Sequence, residues 1–456
     1  MGKPSIDPLR ERVRGAVVTP DDDAYDEARK VNNAMIDKRP VAVVRCTHAD
    51  DVMATVDFAR QHDLALAVRG GAHSVPGFGT CDGGVVADLS PMRGVRVDAE
   101  RRTARVEGGA TWSDLDAATH AFGLATTGGI ISTTGVGGLT LGGGIGYLAR
   151  GLGLSCDNLI SADVVTADGR VVVASEDEHD DLFWALRGGG GNFGAVTAFE
   201  FRLSPVKDIY GGPMLYELED AGTVLRSFRD LIGDAPWQLG GFPGFQIAPP
   251  LPFIPEDRHG DLFALIVACW SGPLEEGERA LQPFHDIAPV VAEHVGVMPY
   301  PALNSAFDAL VPPGLQHYWK ANFVTGLSDA AIETHLRHAP GLPVVNSTIH
   351  FYPIDGACHE VAPDATAFAY RDASFAVVIA GMWPDAADNE ANTTWVRDYY
   401  EAVAPYSEEG GYINFMAGDD QSRIKANYRT NYDRLVDVKR AYDPDNVFHV
   451  NQNIKP

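Results

Sequence analysis

The chain has 456 residues, more than the roughly 250–300 at which a single hydrophobic core stops growing, so two lobes are expected. Its 62 acidic and 36 basic side chains leave a net charge of −26, a field that repels polyphosphate backbones and disfavours a nucleic-acid partner, so none is expected. With 45% apolar and 21% charged residues it reads as a folded globular protein rather than a disordered one, and no run approaches the 18 apolar residues of a membrane span.

The opening MGKPSIDPLRERVRGAVV holds no apolar stretch long enough for a signal peptide, so a cytoplasmic location is expected. Residues 1–37 read as a separate N-terminal segment. From about residue 38 the text alternates. VAVV (41–44) is a strand, Thr47 and Asp50 have capping-box spacing before a helix with Val52, Val56 and Ala59 on one face, and LALAV (64–68) is a second strand running into RGGAHS. TARVEGG follows as strand and turn, then TWSDLDAATHAFG as a helix stopped by Gly123. From Thr127 to Gly153 glycine is too dense for a normal packed element and suits close approach to a ligand. ADVVTADGRVVVA reads as a hairpin turning at Asp168-Gly169, and LFWALRGGGGNFGAVTAFEFRL closes this lobe near Leu203.

Beyond about Pro205 the strands lengthen: LFALIVACW, QHYWKANFV, STIHFY and ASFAVVIAGMW, separated by helices, predict a second lobe on an antiparallel sheet. From about Gly410 the tail turns Asn-rich and turn-rich, and is expected to pack back on the first lobe. The five cysteines, Cys46, Cys81, Cys156, Cys269 and Cys358, are odd in number and far apart, which predicts buried thiols rather than disulfides or a zinc ribbon. His359-Glu360 lacks the second histidine of HExxH, and no other grouping has ligand spacing, so no metal is expected.

Glycine clusters let backbone N–H groups reach anionic oxygens, but alone they are a weak signal. Gly189, Gly191 and Gly194 match GxGxxG, yet strand-like AVTAFEF follows instead of a helix, so a dinucleotide fold of the Rossmann kind is rejected. No GxxxxGK[ST] string occurs. Taken together, RGGAHSVPGFGTCDGGVVADLS, TTGVGGLTLGGGIGYLARGLGLSCDNLISADVVTADGRVV, LFWALRGGGGNFGAVTAFEFRL and YDPDNVFHVNQNI resemble the berberine-bridge-enzyme-like branch of the vanillyl-alcohol-oxidase flavoproteins, over nearly the whole chain. The resemblance implies an α+β fold: a two-lobed PCMH-type FAD-binding domain at 38–206, a substrate-binding domain at 207–409 with an antiparallel sheet flanked by helices, and a segment at 410–456 returning to the flavin.

It further implies that the loop Arg69, Gly70, Gly71, Ala72, His73 and Ser74, with Gly77, wraps the pyrophosphate of FAD, and that His73 bonds covalently to the flavin. An imidazole is a competent nucleophile near neutral pH, which agrees. Ala72 departs from the family's usual glycine. Thr133, Thr134, Gly137, Gly138, Leu139, Gly142, Gly143, Gly144, Gly146, Asn158 and Val196 are implied to hold FAD, as are Asn451 and Asn453 in the tail. Gln452 is a weaker candidate. A second, cysteinyl link is not expected, because Ile130, Ile131 and Ser132 stand where relatives carry that cysteine. Thr134 resembles the residue gating oxygen at the flavin, the alternative being a plain hydrogen-bonding threonine.

Tyr412 and Asn414 resemble the family's YxN element, whose tyrosine can act as base; a phenol with an ordinary pKa near 10 needs a neighbouring cation or flavin contact for that. On QHYWKANFV the two-residue period puts Tyr318, Lys320 and Asn322 on one face, and His350 with Tyr352 on another strand. These are candidate substrate contacts, the opposite face being the alternative. The function expected is an FAD-dependent oxidase acting on a small organic substrate with O2 and releasing H2O2. A flavin-dependent oxygenase, a dehydrogenase and a non-catalytic flavin-bearing binding protein are the rivals. No membrane partner is expected, and no pattern indicates an oligomeric state.

Overall fold

The computed structural model describes residues 4–456. Three sheets carry the chain. The first runs in the order Val17–Val18, Ala42–Arg45, Val85–Asp88, Leu66–Arg69, its last three strands parallel. The helix Ala49–Gln61 makes the crossover that parallel strands require. Its start differs by one residue from the Thr47–Asp50 pairing expected. Thr47 instead donates its amide and hydroxyl to Asp51, which also accepts the amides of Arg14 and Gly15. A carboxylate serving two chain segments outcompetes one serving only the local cap.

The second sheet is antiparallel, in the order Val95–Asp98, Thr103–Glu107, Ala195–Arg202, Leu159–Val165, Val171–Ser175. The helix Trp112–His120 starts from a capping box of Thr111 and Asp114. Within the glycine-dense stretch only two short helices form, Val136–Leu141 and Ala149–Leu152.

The third sheet has eight strands between Asp208 and Trp383, every pair antiparallel. One face is covered by helices that include Ala221–Asp234, Asp329–His338 and Asn389–Val403, which pack Phe228, Ile332 and Val396 against Phe245, Phe351 and Ile379. The opposite face turns toward the first two sheets, with Phe242, Leu265, Val267, Tyr352 and Val378 in one core with Tyr147 and Leu154. Burial on both faces explains why Leu262–Trp270 is apolar almost throughout instead of alternating. Two ion pairs built on buried arginines cross between the sheets' layers, Arg371 with Asp157 at 2.7 Å and Arg150 with Asp355 at 2.6 Å.

The tail is more helical than its asparagines suggest. Tyr432–Tyr442 is a helix whose Leu435 and Val438 join the core around Trp112 and Phe199. Lys439, wholly buried, pairs with Asp443 at 2.6 Å and donates to the carbonyls of Asn192 and Phe448, pinning tail to glycine loop. No described helix is long and apolar enough to cross a membrane.

Candidate active site

Arg69 ends a strand beside Asp88, and the two side chains pair at 2.8 Å, both buried. The chain then turns through Gly70 and Gly71, where a Cβ on Gly71 would stand 2.3 Å from the nitrogen of Gly135. Two glycine loops thus lie back to back, which only glycine permits. Ala72 has φ +59, the left-handed region that costs an L-residue roughly 1–2 kcal/mol, so the departure from glycine noted above falls on a strained position.

The next residue, His73, is gripped from two sides. Asn32 Nδ2 lies 3.1 Å from its Nδ1, and the Thr133 hydroxyl lies 3.1 Å from its Nε2. Burial lowers its pKa to about 4, so the ring is neutral at pH 7 and keeps a nucleophilic lone pair. Thr133 thus holds the histidine ring and is not among the residues lining the adjoining cavity.

His73 opens into one long cavity holding about 320 Å³ of space open to the centre of a water molecule, where one water needs roughly 10–15 Å³. Its near end is lined by Arg69, Gly70, Gly71, Ala72 and Ser74, then Thr134, Gly137, Gly138 and Leu139, with Val196 and Asn451. The wall fits a large polar cofactor on two grounds. A Cβ at Gly138 or Gly191 would meet no protein atom within 4 Å, so these glycines keep space open toward the cavity. Asn451 Oδ1 and Gln452 Nε2 are buried without a partner among the described residues, an arrangement a polar ligand would complete.

Several residues assigned to FAD from the sequence lie off this wall. Gly146 is a glycine because a Cβ would strike the Gly128 carbonyl at 1.7 Å, and Gly144, at φ +91, because it would strike Ser155 Oγ at 2.1 Å. Gly142 packs on Asn414, Gly143 on Phe368 and Gly77 on Ile36. Asn158 spends its amide on the carbonyls of Leu152 and Leu154. Asn453 is likewise off the wall. Glycine demanded by chain-on-chain contact and glycine demanded by a ligand look alike in sequence.

The run Gly189–Gly194 joins the wall without a dinucleotide fold. A strand does follow it, as read, yet Gly190, Gly191 and Gly194 line the cavity. The glycine signal stands in the sequence, and it is independent of the Rossmann context that is missing there.

The tail brings Tyr412 and Asn414 to the cavity. The Tyr412 oxygen accepts from Gly144 N at 2.9 Å, Ile145 N at 3.3 Å and Asn414 Nδ2 at 2.8 Å, while Asn414 also donates to the Leu139 carbonyl. Three N–H donors surround the oxygen, and the protein places no cation in hydrogen-bonding contact with it among the described residues. Burial pushes its pKa up to about 12, with these donors opposing. A neutral phenol has two acceptor sites, so the third N–H is fully met only by a phenolate.

The far end is the inner face of the eight-stranded sheet. His350 lines it together with Tyr352, but Tyr318, Lys320 and Asn322 do not. The inward face of their strand carries Trp319, and the three point outward. Tyr318 and Lys320 both bond to Asp419, Lys320 also to Asp420 at 2.8 Å, and Arg423 reaches Asn322. The buried ammonium has two carboxylates on the outer side and none on the inner, which decides the face. Phe307, Gln246, Asn346, Thr348, Met382 and Phe415 also line this end, and no motif in the sequence singles them out. No cysteine lines the cavity, and all five are buried and unpaired.

Residues 40–175 match the FAD binding domain family, and residues 411–455 the berberine and berberine-like family. The chain is similar to an FAD-linked oxidoreductase of Dictyostelium discoideum, 32% identical over 452 residues, 98% of this chain and 96% of that one. It is 30% identical to (R)-6-hydroxynicotine oxidase of Paenarthrobacter nicotinovorans over 465 residues, 97% of each. The crystal structure of 6-hydroxy-D-nicotine oxidase from Arthrobacter nicotinovorans superposes with a TM-score of 0.86 at 28% identity, covering 97% of this chain and 98% of that one.

Proposed function

Because the chain belongs to the berberine-bridge-like FAD-linked oxidoreductases, we propose that it carries FAD covalently through His73 and oxidises a small organic substrate with O2, releasing H2O2. On this reading residues 38–206 and 410–456 hold the cofactor and 207–409 the substrate. The observation that supports it most is the continuity of one cavity from the neutral His73 imidazole to Tyr412 and on to the sheet face. With no cysteine on the wall, attachment is single.

When bound, FAD supplies a two-electron acceptor. The protein's part is to hold and position. Gly70 and Gly71 present backbone without side chains, Gly138 and Gly191 keep the cavity open, and Asn451 with Gln452 offers unpaired polar atoms. Asn32 and Thr133 fix the His73 ring. The amides of Gly144 and Ile145 with the Asn414 side chain stabilise the phenolate of Tyr412, which takes the substrate proton and becomes the neutral phenol. Thr134 and Leu139 line the same cavity, and the small Thr134 side chain leaves room for dioxygen.

Oxygen uptake measured alongside peroxide during turnover tests the oxidase chemistry. One peroxide per product supports it. Labelled oxygen in the product would make the protein an oxygenase, and rapid reduction without reoxidation in air a dehydrogenase.

A further inference from the structure

The inner face of the eight-stranded sheet is specific about what it will accept. By register Gln246 pairs with Thr348 and Gly244 with His350, and Thr348 and His350 pair in turn with Ala380 and Val378. Small residues therefore run down the middle, with rings around them. Tyr352 and Phe415 lie 5.6 Å apart between centroids, Trp319 and Phe415 6.0 Å, and Phe307 and His350 5.9 Å. These rings pack tilted or edge to face on one another and give this end of the cavity an aromatic wall, suited to packing a further aromatic ring.

Its polar groups are biased in one direction. Thr348 Oγ lies 2.6 Å from His350 Nε2 and 3.3 Å from the Phe245 carbonyl, so its hydrogen is used within the protein. The Tyr352 hydroxyl lies 2.8 Å from His350 Nδ1, and in either tautomer its oxygen keeps a lone pair as an acceptor. Gln246 spends its amide N–H groups on the carbonyls of Ile247 and Val345, and Asn346 donates to the Leu310 carbonyl. Both side-chain oxygens are left as acceptors at the cavity, without partners among the described residues. The indole N–H of Trp319 is also unpartnered and matches the lone pair of a hydroxyl.

Charge is missing from this end. Arg69, at the cofactor end and tied to Asp88, is the only Lys, Arg, Asp or Glu on the cavity wall among the described residues. His350 is kept neutral by burial, which lowers its pKa to about 3. An anionic or cationic substrate group would be stripped of water with no counter-charge, a heavy desolvation penalty.

We propose, resting on the oxidoreductase reading above, that the substrate is an uncharged aromatic compound bearing hydroxyl donors, recognised by Gln246, Asn346 and the Tyr352–His350–Thr348 chain. Carboxylates and non-aromatic sugars are rejected. The phenolic O–H is the group that supplies a donor to the wall's oxygens while its ring packs against the aromatic wall.

Isothermal titration of the oxidised holoenzyme with 2-naphthol, 2-methoxynaphthalene, 2-naphthoate and cellobiose tests this without turnover. The expected order is 2-naphthol at least tenfold tighter than either aromatic analogue, with no heat from cellobiose. The double variant Gln246→Leu and Asn346→Leu should weaken 2-naphthol about tenfold and leave 2-methoxynaphthalene within twofold. Naphthoate or cellobiose binding as tightly as 2-naphthol would overturn the proposal, as would equal loss of both naphthyl probes in the double variant. Should the variant not fold, the wild-type order alone decides. Because binding is read directly, absence of peroxide in turnover would refute the oxidase chemistry and leave this ranking standing.

Discussion

The phenol oxygen of Tyr412 stands 2.9 Å from the amide nitrogen of Gly144, 268 residues earlier in the chain. The contact brings the tail's aromatic residue to the wall built by the glycine-rich stretch, and Gly144 must lack a side chain to make room for Ser155 there.

Tyr412→Phe leaves Gly144 N, Ile145 N and Asn414 Nδ2 without this acceptor. We expect a loss of about 2–4 kcal/mol in stability and, in stopped-flow flavin reduction, a rate reduced about 10²–10⁴-fold. The base must be deprotonated and its pKa is raised, so the wild-type reduction rate should climb from pH 7 toward pH 10. The variant should lack that climb; a rate unchanged in size and pH profile removes Tyr412 from the reaction.

Asp116 is fully buried between two helices, with Asn304 Nδ2 at 2.7 Å, and burial raises its pKa from 3.8 to about 7. Below pH 4 both folded and unfolded chains keep the proton, and the buried acid can donate to the otherwise unpaired Asn304 Oδ1. Between pH 4 and 7 only the unfolded chain ionises, so stability falls, by about 4 kcal/mol in all. Asp116→Asn, which mimics the protonated form, should raise the melting temperature at pH 8 and change it little at pH 4. Equal effects at both pH values would contradict the assignment.

Gly138 and Gly146 make a matched pair. A methyl group added at position 138 meets no protein atom, so Gly138→Ala should keep or raise the melting temperature of the apoprotein while lowering its FAD content. Gly146→Ala drives a methyl into the Gly128 carbonyl and should cost several kcal/mol of folding stability. FAD content and apoprotein melting, measured together, separate the two; full FAD loading of Gly138→Ala would place the cofactor elsewhere.

Lys320→Met tests which side of its strand faces the substrate. Removing the ammonium leaves the buried Asp420 with only the longer Arg423 pair at 3.6 Å and the Ala417 amide, for a loss of about 3 kcal/mol. Affinity for substrate in the surviving folded protein should hold within twofold. A selective tenfold rise in KM with unchanged melting would restore Lys320 to the pocket.

The strand Gln316–Val324 shows what can be read in advance and what cannot. Its limits and its two-residue period are legible, because alternation and length are local properties. Which face points inward is not, since both faces are buried and the carboxylates that hold Lys320 outward lie about 100 residues away. The His73 loop is legible as a dense motif. The roles of Gly146 and Gly190 are not, because a glycine records that space is needed and not what fills it. Gln246 and Asn346 become visible only once cross-strand register brings them to one wall.

The measurement that bears most directly on the central claim is the fate of the yellow colour when purified protein is precipitated in acid and washed. The account predicts colour retained in the wild-type pellet and absent from that of His73→Ala. Colour released from wild type into the supernatant would contradict covalent attachment through His73.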